Sequence, residues 1–226
     1  MQNLSKRIGV VILFAIAMAW VESAVVVYLR GPVDRIIPYQ PDPLPALFTA
    51  DWIEVAREAA TMVMLFTVGW LAGQTWHGRL GYSFLIFGAW DIFYYVFLRL
   101  MCGWPQSLLD WDLLFLIPLP WWGPVISPML IAGLFVIGGI LAAISERRQS
   151  PVWPRGWVMI LSIAGAGLAL YAFMEAALKV AGQGEQVIRQ VLPTTFNWPM
   201  YAIGVLLMAA PIIDMGRQLR QAKTKG

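Results

Sequence analysis

Two residue types that often carry chemistry are almost missing from this chain. Cys102 is the only cysteine and His77 the only histidine among 226 residues. A lone cysteine forms no intrachain disulfide, so the redox compartment stays open. A lone histidine argues against a histidine-rich haem, copper or zinc site, and no haem is expected. There is no Gly-rich phosphate loop ending in Lys-Ser/Thr and no His-Glu-x-x-His pair, so neither a bound nucleotide nor a zinc-protease centre is expected. Charge is also scarce. Only 13% of the residues are Asp, Glu, Lys or Arg, where a soluble domain carries about a quarter.

What fills the gap is apolar. The chain is 59% hydrophobic, with a mean hydropathy of +0.67. It has room for several spans of about 20 residues, but not for a bundle plus a large soluble domain. Apolar runs cover residues of about 8–29, 51–73, 80–101, 125–144, 157–180 and 197–213. The first follows Lys6 and Arg7 and contains Ala17-Met18-Ala19, which imitates a signal-peptide cleavage site. Its apolar character continues through Val25-Val26-Val27-Tyr28, which favours an uncleaved span. The second opens at Asp51, with Glu54 at capping-box spacing. The sixth opens at Asn197, a cap residue, with Pro199 in the first turn.

Between the third and fourth runs lies an odd segment, 107–122. Ser107 is placed to cap a short apolar helix from Leu108 to Ile117 that carries Asp110 and Asp112. Pro118, Pro120 and Pro124 then break regular structure around Trp121 and Trp122. The sequence therefore predicts an all-α integral membrane protein. It is a six-transmembrane-helix bundle with a short interfacial or re-entrant helix between the third and fourth spans, in a single membrane domain over residues 1–226. Twelve Trp and seven Tyr suit interfacial aromatic belts. Gly69, Gly165 and Gly167 are candidate sites of close helix packing.

Six spans put both termini on one side. That side holds ten of the sixteen basic residues and two of the thirteen acidic ones, Glu146 and Asp214. By the excess of Lys and Arg it is the cytoplasmic side, of a bacterial-type inner membrane. The basic tail, Arg217 to Lys225, reads as topology and lipid-headgroup anchoring. Membrane lipids are the expected partners, with a homo- or hetero-oligomer open and no nucleic acid.

The carboxylates then fall into a pattern. Glu22 lies eight residues before Arg30, Glu58 seven after Asp51, and Asp91 eight before Arg99. At a rise of about 1.5 Å per residue, all three sit roughly 10–12 Å below one boundary, in the outer half of the bilayer. Asp91, Tyr94 and Tyr95 share one helix face by their i, i+3, i+4 spacing. Arg57 stands beside Glu58, while Glu54, Arg99 and Asp112 are secondary candidates. Carboxylates screened from lipid serve as hard ligands, proton-relay groups or partners for an amine. Tyr94 and Tyr95 add hydroxyls or a cation–π wall.

The leading expectation is a membrane protein that binds a cation, proton or protonated solute at Glu22, Glu58 and Asp91, with translocation as its extension. Each feature also has a structural reading. Glu22 and Asp91 can fasten helices by pairing with Arg57 or Arg99. Glu54 can cap its helix, Glu175 can pair with Lys179 at i+4, and His77 can be a solvated loop residue. Two other functions remain open. One is an accessory subunit of a larger membrane complex. The other is a membrane-embedded enzyme using carboxylate acid–base chemistry on a lipid or isoprenoid-like substrate.

Overall fold

The computed structural model describes residues 4–34, 36–40, 52–115, 118–148 and 151–224. Among the described residues, eight α-helices and one hairpin follow in chain order: α1 (Leu4–Arg30), α2 (Trp52–Ala72), α3 (Trp76–Cys102), β1 (Trp111–Phe115), β2 (Trp121–Pro124), α4 (Ile126–Glu146), α5 (Gly156–Val180), α6 (Glu185–Gln190), α7 (Trp198–Met208) and α8 (Ala210–Thr224). Five stretches are long and apolar enough to cross a membrane: Leu4–Arg30, Trp76–Cys102, Ile126–Glu146, Gly156–Gln183 and Trp198–Gln221. Their outward faces carry exposed Leu13, Ile160, Ile163 and Leu206. Large apolar surfaces of that extent are compatible with lipid contact and an integral membrane location. The helix α2, which carries Arg57, Glu58 and Thr61, is not among the five.

The helix α3 is central, with α1, α2 and α4 packed against it. Small residues permit the approach to α4: a Cβ on Gly139 would stand 2.5 Å from the carbonyl oxygen of Gly81. The second close pair is α5 on α7, where a Cβ on Gly165 would stand 2.5 Å from the carbonyl oxygen of Gly204. Gly69 backs onto Ser83 in the same manner, whereas Gly167 faces open space and has no packing role.

Helix ends follow local chemistry. The Thr75 hydroxyl accepts from the Gly78 N–H at 3.0 Å and starts α3 earlier than the apolar run suggested. Gly103, at φ 76°, ends it. At the same α3 start, Glu146 Oε1 accepts from the Gln74 and Thr75 N–H groups, each at 2.7 Å. A carboxylate at a helix N-terminus meets unsatisfied donors and the positive end of the helix dipole. Asn197 caps α7 through the Met200 N–H at 3.2 Å. Helix continues past Ile213 into the basic tail, with a break at Ala209 where Pro211 has no N–H to donate.

The segment between α3 and α4 corrects the sequence reading. Its described residues form no helix over 108–115; Trp111–Phe115 and Trp121–Pro124 pair as an antiparallel hairpin. Asp110 Oδ2 accepts from the Gln106 and Ser107 N–H groups at 2.7 and 3.2 Å, which makes a turn where a helix would begin. The Ser107 hydroxyl accepts from the Leu109 N–H at 3.1 Å, a cap-like bond, but it closes part of that turn because no helix follows it. Beyond it, aromatic and branched residues favour an extended chain. The backbone pairs Val125 with Asp110 and Ile126 with Leu108 extend the ladder at 2.9 and 2.8 Å.

Candidate functional site

A cavity of about 330 Å³ lies between α1, α2, α3 and α4, with Phe173 of α5 on one side and the hairpin over one end. Glu22, Arg57, Glu58, Asp91, Tyr94 and Tyr95 all line it, and so do Arg30 and Asp112. Much of the remaining wall is apolar or aromatic, including Met62, Phe87, Trp90, Trp121, Ile131 and Phe135. The spacing of the carboxylates along their helices reflects the helix rise. Their convergence reflects α3 presenting one face to α1, α2 and the hairpin together.

Three carboxylates in this cavity have partners. Arg57 Nη1 donates to Glu22 Oε1, and the Thr61 hydroxyl lies 3.3 Å from Glu22 Oε2. Arg57 Nη2 lies 4.0 Å from Glu58 Oε1, so one guanidinium serves both acids. At the hairpin end, Asp112 is 2% exposed. The Tyr95 hydroxyl donates to its Oδ2 at 3.0 Å, Arg30 Nη2 stands 3.5 Å from Oδ1, and the Leu113 N–H donates to Oδ1 at 2.9 Å. Burial nevertheless dominates and holds the Asp112 carboxyl above the usual carboxylate range, against the lowering effects of Arg30, Tyr95 and Leu113. Arg30 also stacks over the Trp104 ring, 5.6 Å from its centroid.

Asp91 differs. Among the described residues its carboxyl has no hydrogen bond and no ion pair, although it lines the same cavity. An unneutralised carboxylate in apolar surroundings requires a proton or a counter-cation. Next to it, Trp90 and Tyr94 stack with centroids 6.2 Å apart, and Tyr94 meets Tyr95 edge-on at 5.1 Å. The Ser23 hydroxyl, 3.0 Å from the Tyr94 carbonyl, ties α1 to this part of α3. Arg30 Nη1, Trp90 Nε1 and Trp121 Nε1, buried donors on the lining residues, have no acceptor among the described residues.

Of the fastening pairs considered from sequence, Glu22 with Arg57 is present and Asp91 with Arg99 is not. Arg99 Nη1 donates to the Gly103 carbonyl and finishes its own helix, on the exposed surface and away from the cavity. Glu54 has a side chain outside the described residues. Glu175 pairs with Lys179 at 2.8 Å, and His77 stacks on Trp153 at 4.3 Å. Sequence reasoning missed Arg30 and Thr61. Arg30 marked only the end of a span, and Thr61 had no signal beyond its place one turn after Arg57 on α2. Asp112 was only a secondary candidate because an interfacial helix would have left it solvated.

Among the described residues, no three His, Cys, Asp or Glu side chains are grouped so as to hold a metal ion. The chain matches no protein-family model, no curated protein and no solved structure.

Proposed function

We propose that this is a six-span membrane protein that binds a cation or protonated solute at Asp91. In this reading α2 is the sixth span, the hairpin end faces outward, and both termini lie in the cytoplasm of a bacterial-type cell. The distribution of Lys and Arg supports the orientation. One observation carries the functional reading: in a cavity whose other carboxylates have cationic or hydrogen-bonding partners, Asp91 has none among the described residues. Glu58 and Tyr94 complete the polar wall, and Arg57 holds Glu22 out of the competition. Translocation extends this reading if the hairpin end opens.

The test compares wild type with Asp91→Asn in detergent and in proteoliposomes, using sodium, calcium, ammonium and tetraethylammonium chlorides as probes. At least one is expected to bind wild type saturably and the variant not at all, with both proteins equally folded. Equal binding of every probe to the two proteins removes the reading.

The apolar and aromatic wall favours a second reading, a membrane-embedded enzyme in which Asp91 and Tyr94 exchange protons with a lipid or isoprenoid-like substrate. Turnover of such a substrate in detergent, without a gradient, distinguishes it. The Glu22–Arg57 and Arg30–Asp112 pairs favour a third, an accessory subunit whose charges fasten helices. Copurification with stoichiometric partners and indifference to Asp91→Asn distinguish that one.

A further inference from the structure

We infer that the solute held at Asp91 is an organic amine with an apolar body, rather than an inorganic cation; this rests on the cation-binding reading above. Size is the first argument. A cavity of about 330 Å³ falls in the range of small-molecule sites, about 300–1,000 Å³. A hard metal ion uses a small part of such a volume, and calcium asks for about six to eight oxygen ligands.

Ligand supply is the second argument. Glu22 is engaged by Arg57 and Thr61, and Asp112 by Arg30, Tyr95 and the Leu113 N–H. Two of the four lining carboxylates therefore already hold protein donors, and a third, Glu58, has Arg57 4.0 Å away, which leaves a metal ion few uncommitted oxygens. An ammonium needs less: one carboxylate to accept its protons and aromatic faces to share its charge. Asp91 supplies the first, and Trp90 and Tyr94 stand on the same wall.

Charge excludes the opposite solute. The lining carries four carboxylates, Glu22, Glu58, Asp91 and Asp112, against the two guanidiniums of Arg30 and Arg57. Arg30 Nη1 lacks an acceptor, but its guanidinium already faces Asp112. A fatty acid or phosphate would meet net repulsion. A neutral alcohol would leave Asp91 to be neutralised by a proton alone and would gain no charge-assisted contact. An amine answers both terms, and Met62, Phe87 and Phe135 cover its apolar part.

The experiment uses the full chain in lipid nanodiscs and three probes with one common body: phenylbutylamine, phenylbutanol and phenylbutanoate. Sodium, potassium and calcium chlorides are titrated in parallel. Binding is read from tryptophan fluorescence, since Trp90 and Trp121 line the cavity, and from the thermal midpoint. The amine is expected to bind about tenfold or more tightly than the alcohol, the size of one charge-assisted contact. Asp91→Asn removes that advantage while retaining the alcohol's affinity, and Asp91→Glu retains the advantage. An amine that binds no better than the alcohol, or equally better in wild type and Asp91→Asn, overturns the inference. Asp91-dependent binding of a metal chloride without binding of the amine overturns the amine and leaves the cation reading standing. Absence of Asp91-dependent binding for every cation overturns both.

Discussion

The Tyr95 hydroxyl donates to Asp112 Oδ2 at 3.0 Å, joining the middle of the bundle to the hairpin that covers the cavity. Both residues are buried, at 4% and 2% exposure. Tyr95→Phe removes a donor from a buried carboxyl. Destabilisation of about 1–3 kcal/mol is expected, the cost of an unsatisfied buried group. Thermal or denaturant unfolding of the purified protein measures it. In a double-mutant cycle with Asp112→Asn, the two effects should be non-additive, because the residues share one contact.

The same carboxyl makes stability depend on pH. Burial raises Asp112 in the folded protein, so the folded state holds its proton more tightly than the unfolded chain does. Its contribution is fully present below the unfolded value, about 3.9, and is lost as pH rises through the higher folded value. The expected result is that Asp112→Asn flattens the stability–pH profile just above the ordinary carboxylate range. A parallel shift with the slope unchanged would assign the pH dependence to other groups.

Arg57 and Asp91 line one cavity but should respond oppositely to neutralisation. Among the described residues, Arg57→Gln leaves Glu22 with a single weak partner, Thr61, and removes the ionic link between α2 and α1. Breaking a fully buried pair costs about 3–5 kcal/mol, and this partly exposed pair should lose roughly half of that or less. Asp91→Asn breaks no hydrogen bond or ion pair with a described residue, so its unfolding midpoint should match or exceed the wild type's. A large loss of stability in Asp91→Asn would make Asp91 a fastener.

At the opposite end, Glu146 is a structural carboxylate. Its Oε1 collects the Gln74 and Thr75 N–H groups, and its Oε2 lies 3.9 Å from Arg7. Glu146→Ala should cost about 1–2 kcal/mol, in line with loss of a strong helix cap. Ligand binding at the cavity should be unchanged, which a titration of the variant checks.

Helix-level features were legible because they depend on neighbours along the chain. Five of the six apolar runs as helices long enough to span, and a common face for Asp91, Tyr94 and Tyr95, follow from period and rise, and Asn197 as a cap from its side-chain acceptor. The segment after α3 was less legible. Its prolines and tryptophans announced irregularity, but strand formation required Trp111–Phe115 to find Trp121–Pro124 in register. Pairing energy between two strands is not encoded in either one alone.

The sequence by itself determined that the chain is largely helical and apolar, and how far Glu22, Glu58 and Asp91 each lie along their helices, because spacing along a helix is a fixed distance. Only the tertiary structure decided which carboxylates are neutralised. Arg57 reached Glu22 because α1 and α2 both pack on α3; Arg30 reached Asp112 because the hairpin, packed on α4 and α5, brings that carboxyl to the end of α1; Arg99 turned to its own helix end. Rotation of a helix about its axis and the choice of its neighbours are set by packing across the bundle. The isolation of Asp91 is a product of that packing, and no local pattern in the chain encodes it.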